Sequence, residues 1–345
     1  MDPFSQAALG AAVAHGFFHR RLGWQAAVWG ALAGAAPDLD VMFSISGDAF
    51  DALETHRGVT HSLFFAPAVA PLWGWLLYRR ERARNGAPPD RSRMRAWMGT
   101  VGVALLSHPL LDYLTPYGTQ LLAPFSNARF AANAMPIIDP VYTLVLAAGL
   151  AVAYVLRRRP DAARASLAAL FLSTAYLGWS WYLNEAARTF AELSLAEEGV
   201  NDAVVTAYPT VLQIFHRRIV ARTATEDRVG YVNMWHPCPI DWGAAPRLAD
   251  DALDSVLMSR EGRIFEWFAM GQVAASLHPD RDGWRVQLAD LRYGVDLDPR
   301  ASIFALTATV DAFGRLVGAP ELSQFGPSRD DSRLADLLSF GGATC

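Results

Sequence analysis

Three histidines and three aspartates in the first third of the chain are of types that bind divalent metals, and they come in pairs. PDLD places Asp38 and Asp40 two apart, HRGVTHS places His56 and His61 five apart, and HPLLD places His108 and Asp112 four apart. Neutral imidazole and carboxylate oxygen suit zinc and similar divalent ions, and several carboxylates leave room for a second ion. A D-x-D pair can offer its carboxylates to adjacent metals. Four apart on a helix, His108 and Asp112 share one face; Asp112 either grips the same ion or orients the imidazole from behind. A divalent ion so held lowers the pKa of water and polarises a phosphoryl or carbonyl group, which is hydrolytic chemistry. Asp139, in IIDPVYT, adds a carboxylate that could act as general base, as could one of the paired aspartates. Arg57, between His56 and His61, could hold an anionic group such as phosphate.

Taken singly, each of these residues is more often a helix cap or a surface group. Asp38 and Asp40 could end a helix, and Pro109 could mark a kink whose freed carbonyl bonds His108. The elements that must position them argue otherwise. Apolar runs cover roughly 4–19, 22–36, 61–78, 97–115, 139–156 and 163–185, and the third, fifth and sixth approach the ~20 residues that cross a bilayer. The first two are rich in Ala and Gly and read as a closely packed hairpin. Arginines crowd alternate connections: Arg20 and Arg21, then seven from Arg79 to Arg95, then Arg157, Arg158, Arg159 and Arg164. Short arginine-rich loops are cytoplasmic, so both termini are expected to face outward. At ~1.5 Å per helical residue, Asp38, His61, Asp112 and Asp139 each fall roughly 25 Å from the basic end of their segment, and Gln6 roughly 21 Å. Ionisable groups at a shared membrane depth are costly and usually functional. His15 and His19 lie at the opposite, basic end and read as structural. His216, His236 and His278 have no paired spacing and read as surface residues.

Composition fits the same reading. The 345 residues are 52% hydrophobic and 19% charged, and the apolar excess lies before about Asn184. A net charge of −4 gives no basic footprint, so nucleic acid is not expected as a partner. All 30 basic residues are arginine, a matter of codon bias and not of chemistry. Cys238 and Cys345 have no metal-ligand spacing and are too few for a disulfide framework. The start lacks the positive segment that precedes a secretory signal's apolar run, so it reads as a retained first helix.

From about Ala203 the pattern changes to short alternating runs. The stretches 216–224, 228–236, 283–294 and 302–310 read as strands and 246–259 as a helix, with turn signals between them. Trp235, Trp242, Trp267 and Trp284 read as core or membrane-interface residues.

The motifs MDPFSQAALG, PDLD, HRGVTHS, SHPLLDYLTPYGTQLLAPF and IIDPVYT closely resemble, in order and spacing, the YdjM-like membrane-bound metal-dependent hydrolases, inner-membrane proteins of bacteria of which some are LexA-regulated. The likeness continues through AYPTVLQIFHRRIV and ADLRYG. It implies Asp38, Asp40, His56, His61, His108 and Asp112 as metal ligands. Many members carry Thr-His where this chain has Ser5-Gln6; Gln is a weak ligand, better suited to hydrogen-bonding water or substrate. In ligand types alone, the set is similar to zinc-dependent phospholipases C and P1-type nucleases.

The expectation is therefore a mainly α, polytopic membrane bundle of about six helices over 1–188, with a C-terminal α+β extracytoplasmic domain over 203–322 and a polar tail over 323–345. The bundle sits in the bacterial inner membrane and carries one or more divalent ions, zinc first. Its substrate is a lipid-linked ester or phosphodiester. The rivals are a divalent-metal transporter, which would spread ligands through the bilayer depth, and a scaffold with a structural metal, which would close the coordination sphere.

Overall fold

The computed structural model describes residues 1–44, 48–86, 88–281 and 283–324. The polar tail from 325 onward, including Cys345, lies outside the described residues. The chain forms two compact units, one from 1–46 and 55–179, the other from 47–54 and 180 onward.

The first unit is helical. α1 (Pro3–Leu22) starts where Asp2 accepts hydrogen bonds from the Phe4 and Ser5 amides, with Pro3 in the first helical position. Both features complete a helix N-terminus, one by filling an orphan donor and one by lacking it. α2 (Gln25–Ala35) follows after a tight turn and passes into a 3₁₀ stretch, Ala36–Ser44. α4 (Phe65–Asn85) ends on Gly86 at φ +61°. α5 (Arg91–Tyr113) is capped by Asp90, and α6 (Pro140–Val155) by Asp139. α7 (Ala162–Glu197) runs from this unit into the second. α1 packs on α2, α5 and α6, and α4 packs on α5. Glycines set the α1–α2 distance: a Cβ on Gly34 would stand 2.6 Å from the Gln6 carbonyl oxygen, and one on Gly10 2.4 Å from that of Gly30. Trp97, Val101, Ala104 and Leu105 of α5 centre the core shared by α2, α4 and α5.

The expected six-pass bundle is not what the chain builds. Among the described residues no helix is long and apolar enough to cross a membrane. Two of the apolar runs fall in helices too short to cross, two are cut by arginines, and α7, though 36 residues long, spreads Ser, Thr, Gly, Tyr and Trp through its apolar part. The 22–36 run gives an α2 of 11 residues, and the 139–156 run an α6 of 16. Sixteen residues span roughly 24 Å, short of a hydrocarbon layer of ~30 Å. α4 and α5 spend whole turns on arginines, from Arg79 to Arg84 and from Arg91 to Arg95. The orientation built on those crossings, with the C-terminal domain outside the cytoplasm, loses its basis with them.

The second unit corrects the α+β expectation too, being two antiparallel four-stranded sheets. One is ordered β1 (Val204–Pro209), β2 (His216–Arg222), β3 (Glu226–Asn233), β4 (Gly243–Pro246). The other is β5 (Val273–Asp280), β6 (Gly283–Asp290), β7 (Phe304–Asp311), β8 (Leu316–Gln324). The stretches read as strands correspond to β2, β3, β6 and β7; β1, β4, β5 and β8 lie outside them. Ala187, Ala191 and Leu195 of α7 pack on Ile219, Ala221 and Val232 of the first sheet. α8 (Asp251–Leu257) lies on β6 and β7, and α9 (Arg260–Phe268) follows it. α3 (Ala49–Thr55) gives most of its length to this unit, where Arg260 pairs with Asp48 (3.0 Å), Asp51 and Glu54 (3.4 Å). His216 is buried in β2, against the surface reading, whereas His236 and His278 are exposed.

Candidate metal centre

Three elements of the first unit bring the site together. Asp38 and Asp40 sit on the 3₁₀ stretch that continues α2. His61 ends a second, shorter 3₁₀ turn, Val59–His61. His108 and Asp112 lie one turn apart near the end of α5. The turn before Val59 depends on Arg57, which takes a left-handed backbone (φ +58°). Its amide donates to Asp40 Oδ2 at 3.0 Å and its carbonyl accepts from the Gln120 amide at 3.0 Å. A non-glycine residue there is strained, and the two bonds hold it.

Asp38, His61, His108 and Asp112 each present one ligand atom, all within 4.8 Å of one another. The two Nε2 atoms are 2.9 Å apart. Asp38 Oδ1 is 3.4 Å from each of them, and Asp112 Oδ2 is 3.3 Å from His61 and 3.4 Å from His108. Ligands at ~2.0–2.1 Å in a tetrahedron stand roughly 3.3–3.4 Å apart, the geometry of zinc with nitrogen and oxygen donors. His61, His108 and Asp112 are fully buried. Asp112 Oδ2 and Asp38 Oδ2 are buried without a hydrogen-bond partner, which is costly unless a cation is there to meet them.

The surroundings fix each imidazole. His108 Nδ1 donates to the Gly34 carbonyl at 2.6 Å; that carbonyl is in the last turn of α2, whose acceptors lack intrahelical partners. His61 Nδ1 faces Asp40 Oδ2 at 3.3 Å and Thr60 Oγ1 at 3.0 Å. With both Nδ1 positions spoken for, both Nε2 atoms point into the centre. Arg57 Nη2 (3.3 Å), Gln6 Nε2 (3.0 Å) and the Met1 amino group surround Asp112 Oδ1. Burial would raise Asp112, but Arg57, the amino group and His108 hold it well below the usual carboxylate range. Asp38 is likewise held low against burial by His108 and His61. Burial would lower His108, yet Asp112 and Asp38 push it up to about 9. Two carboxylates and two imidazoles thus hold positive charge between them, whether proton or metal.

The six residues implied as ligands therefore separate. Asp38, His61, His108 and Asp112 converge. Asp40 stands behind His61, bonding His56 Nδ1 at 2.9 Å and Thr60 Oγ1 at 3.2 Å. His56 lies beyond Asp40, its ring 5.4 Å from that of Tyr117. Asp139 is an N-cap: Oδ1 accepts the Tyr142 amide at 2.8 Å and Oδ2 the Tyr176 hydroxyl at 2.9 Å. Sequence reasoning missed Gly34, Thr60, Thr115 and Tyr117. Thr115 accepts from Arg57 Nη1 at 2.8 Å, and the Arg57 guanidinium lies 4.7 Å over the Tyr117 ring. TPYG, just beyond His108 and Asp112, was the available signal. At the far end of α1, His15 Nδ1 meets Ser166 Oγ at 2.9 Å, and burial followed by the neighbouring His19 lowers His15 to about 4.

Helix ends and short turns converging on two imidazoles and two carboxylates define a protein with a metal-competent centre in its helical unit. The chain belongs to the YdjM inner membrane protein family, which matches residues 1–187. It is 37% identical over 105 residues to the inner membrane protein YbcI of Escherichia coli K12, covering 30% of this chain and 56% of that one. It is 29% identical over 127 residues to the uncharacterized protein YfhP of Bacillus subtilis 168, covering 36% of this chain and 35% of that one. The chain thus spans about a third to just over half the length of these relatives. No solved structure matches it.

Proposed function

We propose that this protein is a metal-dependent hydrolase acting on a membrane-associated ester or phosphodiester. The observation that carries the reading is that four ligand atoms converge within 4.8 Å, with the four histidine-to-carboxylate separations at 3.3–3.4 Å, the edge length of a zinc-sized tetrahedron. Asp38, His61, His108 and Asp112 would hold the ion, zinc first among divalent candidates, which when bound activates water at neutral pH and polarises the scissile group. Asp40 and the Gly34 carbonyl orient the two imidazoles. Asp38 is the least buried of the four, and its Oδ2, without a partner, is the proton acceptor for the attacking water. Asp139 is committed to capping α6 and takes no part. The buried Arg57 Nε has no partner and is the donor for an anionic oxygen of the substrate.

The substrate class follows from the site's flanks. Leu39, next to Asp38, is 59% exposed, and Phe125, whose ring meets that of Phe64 at 5.1 Å, is 79% exposed. Val59 and Phe64, either side of His61, are also exposed. Apolar side chains left in the open beside a buried polar centre suit a substrate with hydrocarbon chains, in keeping with an inner-membrane family.

The test is elemental analysis of detergent-purified protein beside Asp38→Ala and His61→Ala, followed by phosphate or head-group release from a lipid panel. Bound metal in the parent, loss in both variants and chelator-sensitive release are expected. Undiminished metal in both variants would sink the site as drawn, and metal without turnover on any ester would sink the enzyme.

A further inference from the structure

The second sheet of the C-terminal unit carries a site of its own. Side chains alternate across a strand, so the register divides the sheet cleanly. Val286, Leu288, Leu306 and Val310 are buried on the face where α8 packs. On the opposite face the register puts Ser276, Gln287 and Thr307 side by side across β5, β6 and β7, with His278 paired to Arg285 in the adjacent row. These residues form the floor of a cavity of about 640 Å³, roofed by the loop through Asp296, Asp298 and Arg300. That volume is in the range of small-molecule sites.

The roof is built in place. Arg218, itself buried, donates from Nε to the Leu291 carbonyl at 2.8 Å and from Nη1 to the Asp296 carbonyl at 3.0 Å. The Tyr231 hydroxyl donates to the Gly294 carbonyl at 2.9 Å, and Ser302 Oγ bonds the Asp290 and Tyr293 carbonyls at 2.7 and 2.6 Å. On the floor, Ser276 is 4% exposed and its Oγ has no hydrogen-bond partner. A buried hydroxyl without a partner costs stability, and this one lines the cavity. A β7–β8 bulge at Thr307–Thr309 lies beside the same row, and such bulges recur at functional sites.

We propose that this cavity binds an anionic sugar or polyol. The Ser276–Gln287–Thr307 row offers hydroxyls and an amide to ligand hydroxyls, as do the Asp296 and Asp298 carboxylates on the roof. Arg285, Arg300 and His278 supply the anion's partners. The exposed ion pairs that now engage the arginines, Arg285 with Asp280 at 3.3 Å and Arg300 with Asp298 at 2.9 Å, are of the weak kind that a ligand can replace. None of the residues that line the cavity belongs to the metal centre, and the proposal stands without that centre. Its ligand is either a free sugar phosphate or the equivalent head group of a lipid.

Calorimetry on the full chain with glucose 6-phosphate tests this, with glucose and inorganic phosphate as comparators. One saturable site is expected, at least tenfold weaker for either comparator, at least tenfold weaker in Gln287→Leu and Ser276→Ala, and unchanged in Asp38→Asn. Ser276→Ala is also expected to unfold at the same or a higher temperature, because it removes an unpaired buried hydroxyl; a lower one overturns its assignment as a ligand contact. Binding to phosphatidylinositol vesicles that glucose 6-phosphate displaces assigns the lipid source, and binding of the free compound alone assigns the soluble one. No binding, or equal binding of inorganic phosphate that survives Gln287→Leu, overturns the proposal.

Discussion

His61 Nε2 and His108 Nε2 stand 2.9 Å apart, nearer each other than either is to the carboxylates of Asp38 and Asp112 at 3.3–3.4 Å. Each imidazole has its Nδ1 directed at an oxygen, Asp40 Oδ2 for His61 and the Gly34 carbonyl for His108. At that separation the two Nε2 atoms need a shared proton or a metal ion between them. One shared ion is therefore expected per chain, with Asp40 and His56 outside its sphere. Elemental analysis should give one equivalent, and His108→Ala should lose metal as fully as the His61→Ala, His108→Ala double variant. Two equivalents would return Asp40 and His56 to the ligand set.

Asp40 and His56 are expected to act through His61. Asp40→Asn keeps the shape but removes the charge that holds the His61 Nδ1–H. Partners of this kind are typically worth 10–100-fold in metal affinity. Competition with a chromophoric chelator should show a loss in that range for Asp40→Asn, a smaller one for His56→Ala and a larger one for His61→Ala. Equal losses in Asp40→Asn and His61→Ala would make Asp40 a ligand.

Gly34→Ala tests packing and chemistry together. In an exposed helix, Ala would gain up to about 1 kcal/mol over Gly. Here the new Cβ meets the Gln6 carbonyl oxygen at 2.6 Å and Gly10 Cα at 3.0 Å, and backbone atoms cannot swing aside. Overpacking of this kind costs ~1–3 kcal/mol, so the steric term wins. Separating α1 from α2 also moves the carbonyl that orients His108. A lower unfolding temperature with weakened metal binding is expected; a stabilised variant with full metal would refute the close crossing.

How much of this was legible in the sequence depends on which interaction decided each feature. Asp38, His61, His108 and Asp112 could be found because their types and spacing are local properties. That Asp40 would sit behind His61 was not legible, because it depends on the left-handed turn at Arg57 and its amide bond to Asp40. Asp139 is a catalytic candidate by type, yet a residue before Pro140 at a helix start is also an N-cap, and in the fold Asp139 caps α6. Crossing a membrane needs one helix that is both long and apolar enough; α7 holds the 163–185 run whole, but with Ser, Thr, Gly, Tyr and Trp spread through it. The 139–156 run closes as a 16-residue α6, and the arginines of 79–95 fall inside α4 and α5 instead of in a loop between them. Strands β1 and β8 were missed because VVTAYP and LVGAPELSQ interrupt alternation with small residues and proline.

His15 should leave a mark on acid stability. Its folded value, lowered to about 4 by burial and then by His19, lies below the ~6.5 of an unfolded histidine. The fold therefore favours the neutral ring, and this contribution is complete above pH ~6.5 and lost as pH falls towards 4. The upper bound is roughly 3 kcal/mol, from ~1.4 kcal/mol per pH unit. His15→Asn keeps a hydrogen-bonding group near Ser166 without the titration. Comparing the two proteins cancels the acid loss due to Asp38, Asp40 and Asp112. The parent should lose more unfolding temperature than the variant between pH 6.5 and 4; parallel curves would dismiss His15 as the titrating group.

Arg57 separates substrate binding from metal binding. Its guanidinium is engaged by Thr115 Oγ1 at 2.8 Å, Asp112 Oδ1 at 3.3 Å and the Tyr117 face, while Nε remains buried without a partner. Lysine would keep the charge beside Asp112 but supplies neither the flat stacking surface nor a second directed donor. Arg57→Lys is therefore expected to retain its metal and unfold within a few degrees of the parent. On an anionic ester, its KM should rise about tenfold, or ~1.4 kcal/mol, with a smaller change in kcat. A neutral ester should be turned over almost as before. An equal loss on both substrates, with metal retained, would leave Arg57 as a support for Asp112 and remove it from substrate recognition.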